Sequence, residues 1–119
     1  MPSFDDRSPI YLQIAEHVRR SILAGDLAEE DQVMSTTAYA TTYRINPATA
    51  AKAMSLLVDE ELLHKRRGLG MFVSSGAQAK LRERGRAEFV DVVLRPVVDQ
   101  GRALGLSTDE LCRAMKEIS

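Results

Sequence analysis

The sequence is poor in the residue types from which disulfides, metal sites and membrane spans are built. It holds one cysteine, Cys112, and two histidines, His17 and His64. A single cysteine cannot form a disulfide within the chain, which suits a reducing compartment, and the three residues show no zinc-ligand spacing. No run of about 18 apolar residues is present, so we expect no membrane span. The acidic, polar start, MPSFDD, is not a secretory signal, and we therefore expect a cytoplasmic protein.

Motifs that would hold a cofactor or carry catalysis are also missing. The glycine pair around Leu69 lacks the third glycine and the following helix of a dinucleotide loop. Ser74 has no catalytic base beside it in the sequence. We therefore expect no enzyme activity, no catalytic residue, no metal and no cofactor.

A helix start is sharply marked in the middle of the chain. Asn46 can cap the first turn with its side-chain oxygen, and Pro47 follows where a missing N–H costs nothing. Helical spacing then predicts one buried stripe, made of Ala50, Ala53, Met54, Leu57 and Val58. The opposite face near the helix start is small or polar, with one cation: Ala48, Thr49, Ala51, Lys52 and Ser55. Such a face can approach base edges in a DNA groove, and Lys52 can reach a phosphate or a guanine.

A basic β-hairpin is predicted directly after this helix. Leu62-Leu63 and Met71–Val73 are short apolar strand candidates, and His64–Gly70 lies between them. Gly68 and Gly70 permit positive φ in a tight turn. The hairpin carries three consecutive cations and no acid: Lys65, Arg66 and Arg67. Alone it would be an ordinary solvated hairpin, but beside the capped helix we interpret it as a nucleic-acid contact.

The preceding residues complete a recognisable order of elements. A helix is predicted over Ile10–Ala24 with Gly25 as its stop, followed by a short extended piece at Gln32–Met34. Ser35 can cap a second helix over Thr36–Thr42. Helix, strand, helix, turn, helix and hairpin make a winged helix-turn-helix, in which the second helix of the pair reads DNA and the first braces it.

The chain resembles the DNA-binding domain of GntR-type bacterial transcription regulators. The similarity lies in Pro9–Ile14, Ile22–Leu27, Val33–Ser35, Ile45–Ala50, Leu62-Leu63 and Arg66–Val73. The Asn-Pro-Ala-Thr helix start and the short tail are similar to the YtrA-like subfamily. The resemblance implies a winged helix, double-stranded operator DNA as the partner, and a homodimer as the active form. The resemblance is also compatible with control by a small-molecule effector of unknown identity. We expect its site in a cleft between the tail and the winged helix.

The chain also departs from the family pattern. The family usually has an acidic-basic pair at Thr36 and Thr37, so a DNA contact at Thr37 is shortened to a hydroxyl or lost. The usual Pro-Gly turn is replaced by Glu29-Glu30, which makes that turn less rigid. The candidate DNA-binding residues are Ser35, Thr37, Arg44, Asn46, Ala48, Thr49, Lys52, Lys65, Arg66, Arg67, Gly68, Leu69 and Gly70.

Length and charge agree with this interpretation. The 119 residues suffice for one domain, or for a small domain with an appendage, and the net charge is −1. A near-neutral chain is not a non-specific polycation. DNA binding depends more on the local electrostatic field than on the total charge. In Arg44–Arg67 there are five basic residues and three acidic ones. One protomer would bind weakly, so a dimer that doubles the phosphate contacts is expected.

The tail is predicted to be a second unit. We divide the chain into a DNA-binding domain, residues 1–75, and a helical dimerisation tail, residues 76–119, so the fold class is mainly α with a small β-hairpin. From Phe89 to Val98 the sequence is apolar around most of a helix, more than one helix can bury by itself. The residues expected at the dimer interface are Phe89, Val90, Val93, Leu94 and Val97. Pro96 should kink or split this helix near Leu94, and a strand over Phe89–Leu94 is the less favoured alternative.

Two classes of function follow. The first is a dimeric, sequence-specific DNA-binding regulator that acts on an inverted-repeat operator, and we expect it to be a repressor. The second is a winged-helix protein-interaction module that never reads DNA. The basic wing discriminates between them, because an interaction module has no need of Lys65, Arg66 and Arg67 beside a small polar helix face.

Overall fold

The computed structural model describes residues 4–119, so the first three residues of the MPSFDD start lie outside the described residues. The helices are α1 (Ile10–Ala24), α2 (Thr36–Tyr43), α3 (Pro47–Asp59), α4 (Ala77–Glu88), α5 (Arg95–Ala103) and α6 (Thr108–Ile118). A π-helical segment, Phe89–Leu94, lies between α4 and α5, and a hairpin of β1 (Leu63–Arg66) and β2 (Gly70–Val73) follows α3. The mainly helical fold class with one small hairpin is confirmed.

The chain divides into two compact units, of which the first ends at Arg82 and the second begins at Glu83. Ala77 and Leu81, in the first turns of α4, are buried in the core of the first unit. The domain boundary between residues 75 and 76 stays a prediction about independent folding.

The first unit is built around one apolar core, where α3 packs against α1 and α2. The largest fully buried side chains are Ile14, Ile22, Leu57, Leu62, Leu63 and Val73. Burying each such side chain stabilises the fold by roughly 1.5–3 kcal/mol relative to leaving it in water. This core fixes α3, whose outer face carries the predicted reading residues.

The ends of these helices follow the local signals in the sequence. Gly25 ends α1 in the left-handed conformation, with φ of 88°. Ser35 Oγ accepts a hydrogen bond from Ala38 N–H at 3.0 Å at the start of α2, and Asn46 Oδ1 accepts one from Ala48 N–H at 2.8 Å at the start of α3. α2 extends to Tyr43, one residue beyond the predicted end.

The predicted extent of the hairpin strands was wrong. β1 begins at Leu63 and runs through Arg66, so it starts one residue after the predicted Leu62-Leu63 strand and also includes His64, Lys65 and Arg66. The antiparallel register pairs Leu63 with Val73 and Arg66 with Gly70. Because the pairing of β1 with β2 extends to Arg66 and Gly70, only residues 67–69 form the turn. Gly68 has the positive φ of 76° there. The extended piece at Gln32 joins the hairpin through a bridge to Phe72.

In the second unit the backbone changes from π-helical to α-helical near Pro96, where the sequence predicted a disturbance. Pro96 has no N–H to donate and its ring crowds the carbonyl one turn earlier. A wider π-helical turn before it accommodates this without a break in helical conformation. Ser107 caps α6, and Gly101 of α5 lies under Leu111 of α6, where a Cβ would come within 2.9 Å of Leu111 Cδ2.

Candidate nucleic-acid interface

The first turn of α3 presents a small, uncharged surface. Ala48 is exposed and Thr49 is half-buried in this turn, which holds no acidic residue, and Lys52 is exposed in the second turn. Asn46 is exposed as well, but its side-chain oxygen is engaged by the Ala48 N–H. A base contact from Asn46 therefore has to use its amide NH₂ group, because the oxygen already caps the helix.

Lys52 is held over an aromatic ring. Its Nζ lies 4.1 Å from the centroid of the Tyr11 ring on α1, a cation–π geometry. The contact directs the ammonium group along the surface formed by α1 and α3. Tyr11 was not singled out from the sequence as part of the site, because its contact with Lys52 depends on the packing of α1 against α3.

The remaining helix-turn-helix candidates lie on α2 and the turn after it. Ser35 is the N-cap of α2, and Thr37 is exposed in the first turn. Arg44 is exposed and ends α2 with φ of 54°, in the left-handed region. That conformation is uncommon for a residue with a Cβ, and it turns the chain sharply from α2 into α3.

A bidentate ion pair ties α3 to α1. Arg19 Nε and Nη2 donate to the two carboxylate oxygens of Glu60 at 2.9 and 2.6 Å. Both side chains are about four-fifths shielded from solvent, and the pairing raises the pKa of Arg19 above its ordinary value. Two parallel hydrogen bonds fix orientation as well as distance, so the pair holds the C-terminal end of the reading helix.

The predicted wing residues lie on β1, the turn and β2. Lys65, Arg66, Arg67, Gly68 and Leu69 are exposed, and Leu69 at the tip is 63% exposed. Gly70 is half-buried, because Gln32 lies against it; a Cβ there would come within 2.8 Å of Gln32 Nε2. The same nitrogen donates to the Leu69 carbonyl at 2.8 Å, so Gln32 anchors the tip.

Arg66 is engaged by its own domain. Its guanidinium forms an ion pair with the Glu30 carboxylate and lies 4.3 Å from the centroid of the Phe72 ring. Glu30 has φ of 67°, and Ser75 Oγ donates to its other carboxylate oxygen at 3.2 Å. Glu30 is therefore positioned to compete with a DNA phosphate for Arg66.

Glu29 has a different role from its neighbour. Its carboxylate accepts a hydrogen bond from Gly76 N–H at 2.6 Å, beside the start of α4. The sequence showed both acids in place of the family's turn residues, but it did not show that one of them faces the wing. That placement depends on backbone pairing with β2, where Glu30 N–H donates to the Val73 carbonyl at 2.8 Å and Gln32 bridges to Phe72.

The second unit exposes the apolar residues expected at a dimer interface. Phe89, Val90, Val93 and Val97 are exposed and Leu94 is half-buried, while Gly101 is the one residue of 83–119 that is fully buried. One turn of an α-helix contains about 3.6 residues, so residues four apart are separated by slightly more than one turn. A π-helix, with i→i+5 hydrogen bonds, has a wider turn, so the same spacing is slightly less than one turn there. Because the segment combines π-helical and α-helical turns, Phe89, Val93 and Val97 lie nearly in line along the helix. Val92 lies on another side.

No group of three or more metal-binding side chains that could hold an ion is present among residues 4–119. Over the same residues, no helix is both long and apolar enough to cross a membrane.

Comparison with known families and proteins agrees with this geometry. The sequence profile of the family described as bacterial regulatory proteins, gntR family, matches residues 10–73. The transcriptional repressor YtrA of Bacillus subtilis is 31% identical over 121 residues, which cover 100% of this chain and 92% of that protein.

Solved structures support the fold. A transcriptional regulator from Oenococcus oeni superposes with a TM-score of 0.80 at 22% identity, covering 98% of this chain and 96% of that one. The DNA-binding domain of AraR in complex with operator ORX1 superposes with a TM-score of 0.57 at 23% identity, covering 60% of this chain and 93% of that one.

Proposed function

Since this chain belongs to the GntR family of bacterial regulatory proteins, we propose that it represses transcription as a homodimer bound to an inverted-repeat operator. Members of this family are DNA-binding transcription regulators and not enzymes, and this chain is one of them. For this chain we further propose three properties: dimerisation, an inverted-repeat operator and control by a small-molecule effector. A regulator of this kind works where the bacterial chromosome lies, which is the cytoplasm.

The observation that carries the proposal is the exposed first turn of α3. Its side chains are short and uncharged, the cation Lys52 follows in the second turn, and the first turn lies at the positive end of the helix dipole. Short side chains allow the helix to enter the major groove, which is about 12 Å wide. The DNA-binding domain of AraR, which has a related fold, was solved in complex with an operator. In a helix-turn-helix the second helix of the pair lies in the major groove, so we expect α3 to enter the groove with the hairpin beside it.

A salt titration separates this function from that of a protein-interaction module. The full chain should be retained on random duplex DNA, and log affinity should fall linearly with log salt concentration, at a slope of about −0.9 per neutralised phosphate. If the chain does not bind random duplex DNA even at low salt, the protein-interaction module is favoured.

The reading helix supplies a prediction about base preference. Thr49→Val keeps the shape of the side chain but removes its hydroxyl, so discrimination at the contacted base pair should fall by roughly 1–3 kcal/mol while random-DNA affinity is largely kept. Competition binding against single-base operator variants measures this. Thr42→Val on α2, an exposed position outside the predicted site, is the matched control. A parallel loss of specific and random affinity would make Thr49 a phosphate contact instead.

The Glu30–Arg66 pair supplies a second prediction. Glu30→Gln removes the charge that competes with phosphate, so affinity for operator and random DNA should rise together. Exposed ion pairs contribute roughly 0–1 kcal/mol, so the expected gain is up to about fivefold per protomer. Fluorescence anisotropy at fixed salt measures both affinities.

The control for that prediction is Glu29→Gln. It removes the same charge from the adjacent residue, but the Glu29 carboxylate contacts Gly76 N–H and not Arg66. Equal gains from the two variants would show that the general loss of negative charge, rather than the release of Arg66, strengthens binding.

A further inference from the structure

A cavity lies inside the helix-turn-helix, between α1, the segment before α2, and α2 itself. Its volume is about 310 Å³, at the lower end of the roughly 300–1,000 Å³ typical of small-molecule sites. Met54 of α3 also contributes to its wall. This place differs from the cleft beside the tail that the sequence suggested for an effector.

The wall of this cavity is largely apolar and partly aromatic. Val18, Val33, Met34 and Met54 supply aliphatic surface. Tyr39 and Tyr43 supply two rings whose centroids are 4.5 Å apart, with planes inclined at 46°. Such a wall favours a compact apolar or aromatic molecule, and the unbranched methionines can adjust to its outline.

The Tyr39 hydroxyl is a buried polar group without a partner. Tyr39 is 4% exposed, and among the described residues no group forms a hydrogen bond with its Oη. Burial raises the pKa of Tyr39 to about 12, so the phenol keeps its proton at physiological pH and can donate it. Buried hydroxyls are rarely left unpaired in folded proteins, which makes this one a natural partner for a ligand.

The charges at the wall limit the ligand further. Asp26 lines the cavity and carries a carboxylate. His17 lines it as well, and burial lowers the pKa of His17, which favours the neutral imidazole. An anionic ligand would therefore meet a negative side chain without a compensating cation among these residues.

We propose that this cavity is a ligand site for a compact molecule with an apolar or aromatic body and a neutral or cationic group. A hydrogen-bonding group on the ligand pairs with the Tyr39 hydroxyl, which the ligand reaches by displacing a flexible wall side chain. The cationic group, where present, lies toward Asp26.

Occupancy of the cavity reaches the reading helix through packing. Tyr39 and Tyr43 belong to α2, which packs against α3, and Met54 belongs to α3 itself. A ligand that moves α2 therefore changes the presentation of α3, a consequence that rests on the proposed DNA-binding function. DNA affinity and ligand binding are measured separately. If the protein binds the ligand but not DNA, the proposed function is wrong and the ligand site stands.

Methyl NMR of the full chain tests the site directly. The probes are phenethylamine and phenylacetate, which present an aromatic ring with opposite charges. Phenethylamine should cause saturable shifts of the Met34 and Met54 methyl signals, while Met71 and Met115, which do not line the cavity, stay unchanged. Phenylacetate should bind about two- to fivefold more weakly, as expected for one partly exposed charge.

Two variants make the test specific. Ser21→Leu places a larger side chain in the cavity wall and should abolish the shifts, whereas Ala24→Leu, elsewhere on α1, should not. Tyr39→Phe should weaken phenethylamine binding by about five- to tenfold without lowering the melting temperature, because the hydroxyl it removes is unpaired in the free protein. Absent shifts, shifts that survive Ser21→Leu in a folded variant, equal binding of phenylacetate, or unchanged binding to Tyr39→Phe would each overturn the proposal.

Discussion

Replacing Val93 and Val97 together by Asp should convert the protein to monomers and abolish operator binding. The two side chains are 47% and 49% exposed in the isolated chain, and residues four apart lie on the same face of a helix. Contiguous apolar surface of this kind usually marks an interface, and unpaired carboxylates are costly to bury there. Because specific binding is typically roughly 10³–10⁷ tighter than non-specific binding, operator affinity should fall by at least about a thousandfold.

The control for this loss is the double variant Val92→Asp with Leu104→Asp. It adds the same two charges to the second unit at residues that are 70% and 80% exposed and lie outside the predicted interface. Light scattering should show dimers for this control and monomers for the interface variant, while circular dichroism confirms that both retain their helices. A wild-type protein that is monomeric at micromolar concentration and still binds its operator tightly would remove the dimer from the mechanism.

Replacing Arg66 and Arg67 together by Ala should weaken binding to operator and random DNA alike. These wing residues are expected to contact phosphate or the minor groove, where little sequence information is read. The slope of log affinity against log salt should flatten by about 1 for each lost contact in each protomer. Affinity measured at four or more salt concentrations yields this slope.

The structure adds a refinement for Arg66, because Glu30 and Phe72 hold its side chain in the free protein. Arg67→Ala alone should therefore flatten the slope more than Arg66→Ala alone. Replacing Arg102 and Arg113 by Ala removes two exposed charges from the second unit and serves as the control. An unchanged slope in the Arg66 and Arg67 double variant would exclude the wing from DNA contact.

Local signals in the sequence predicted the helices of the first unit well. Helix ends depend on a few neighbouring residues, and caps such as Ser35, Asn46-Pro47 and Gly25 placed them to within about a residue. The family resemblance then supplied the arrangement of these helices and the role of α3. The assignment of individual residues to DNA contact stays a prediction.

Features that depend on distant contacts escaped prediction. The length of β1 is determined by its pairing with Gly70–Val73, so the strand continues through polar residues that the apolar pattern left outside it. The ion pair between Glu30 and Arg66 joins residues 36 positions apart, which come together because the segment 30–33 is hydrogen-bonded to β2. The π-helical segment depends on how an otherwise continuous helix adapts to Pro96, which sequence periodicity does not reveal.

The central claim is that this chain reads DNA as a symmetric dimer, and selection from random duplex DNA by the purified full-length chain tests it most directly. After repeated rounds, the recovered molecules should share an inverted repeat whose half-sites lie about 10 bp, or a multiple of that distance, apart. Such a pool, bound by two protomers per duplex, is the result that the account predicts. A pool that remains random in sequence, or one enriched in a single half-site bound by one protomer, would contradict it.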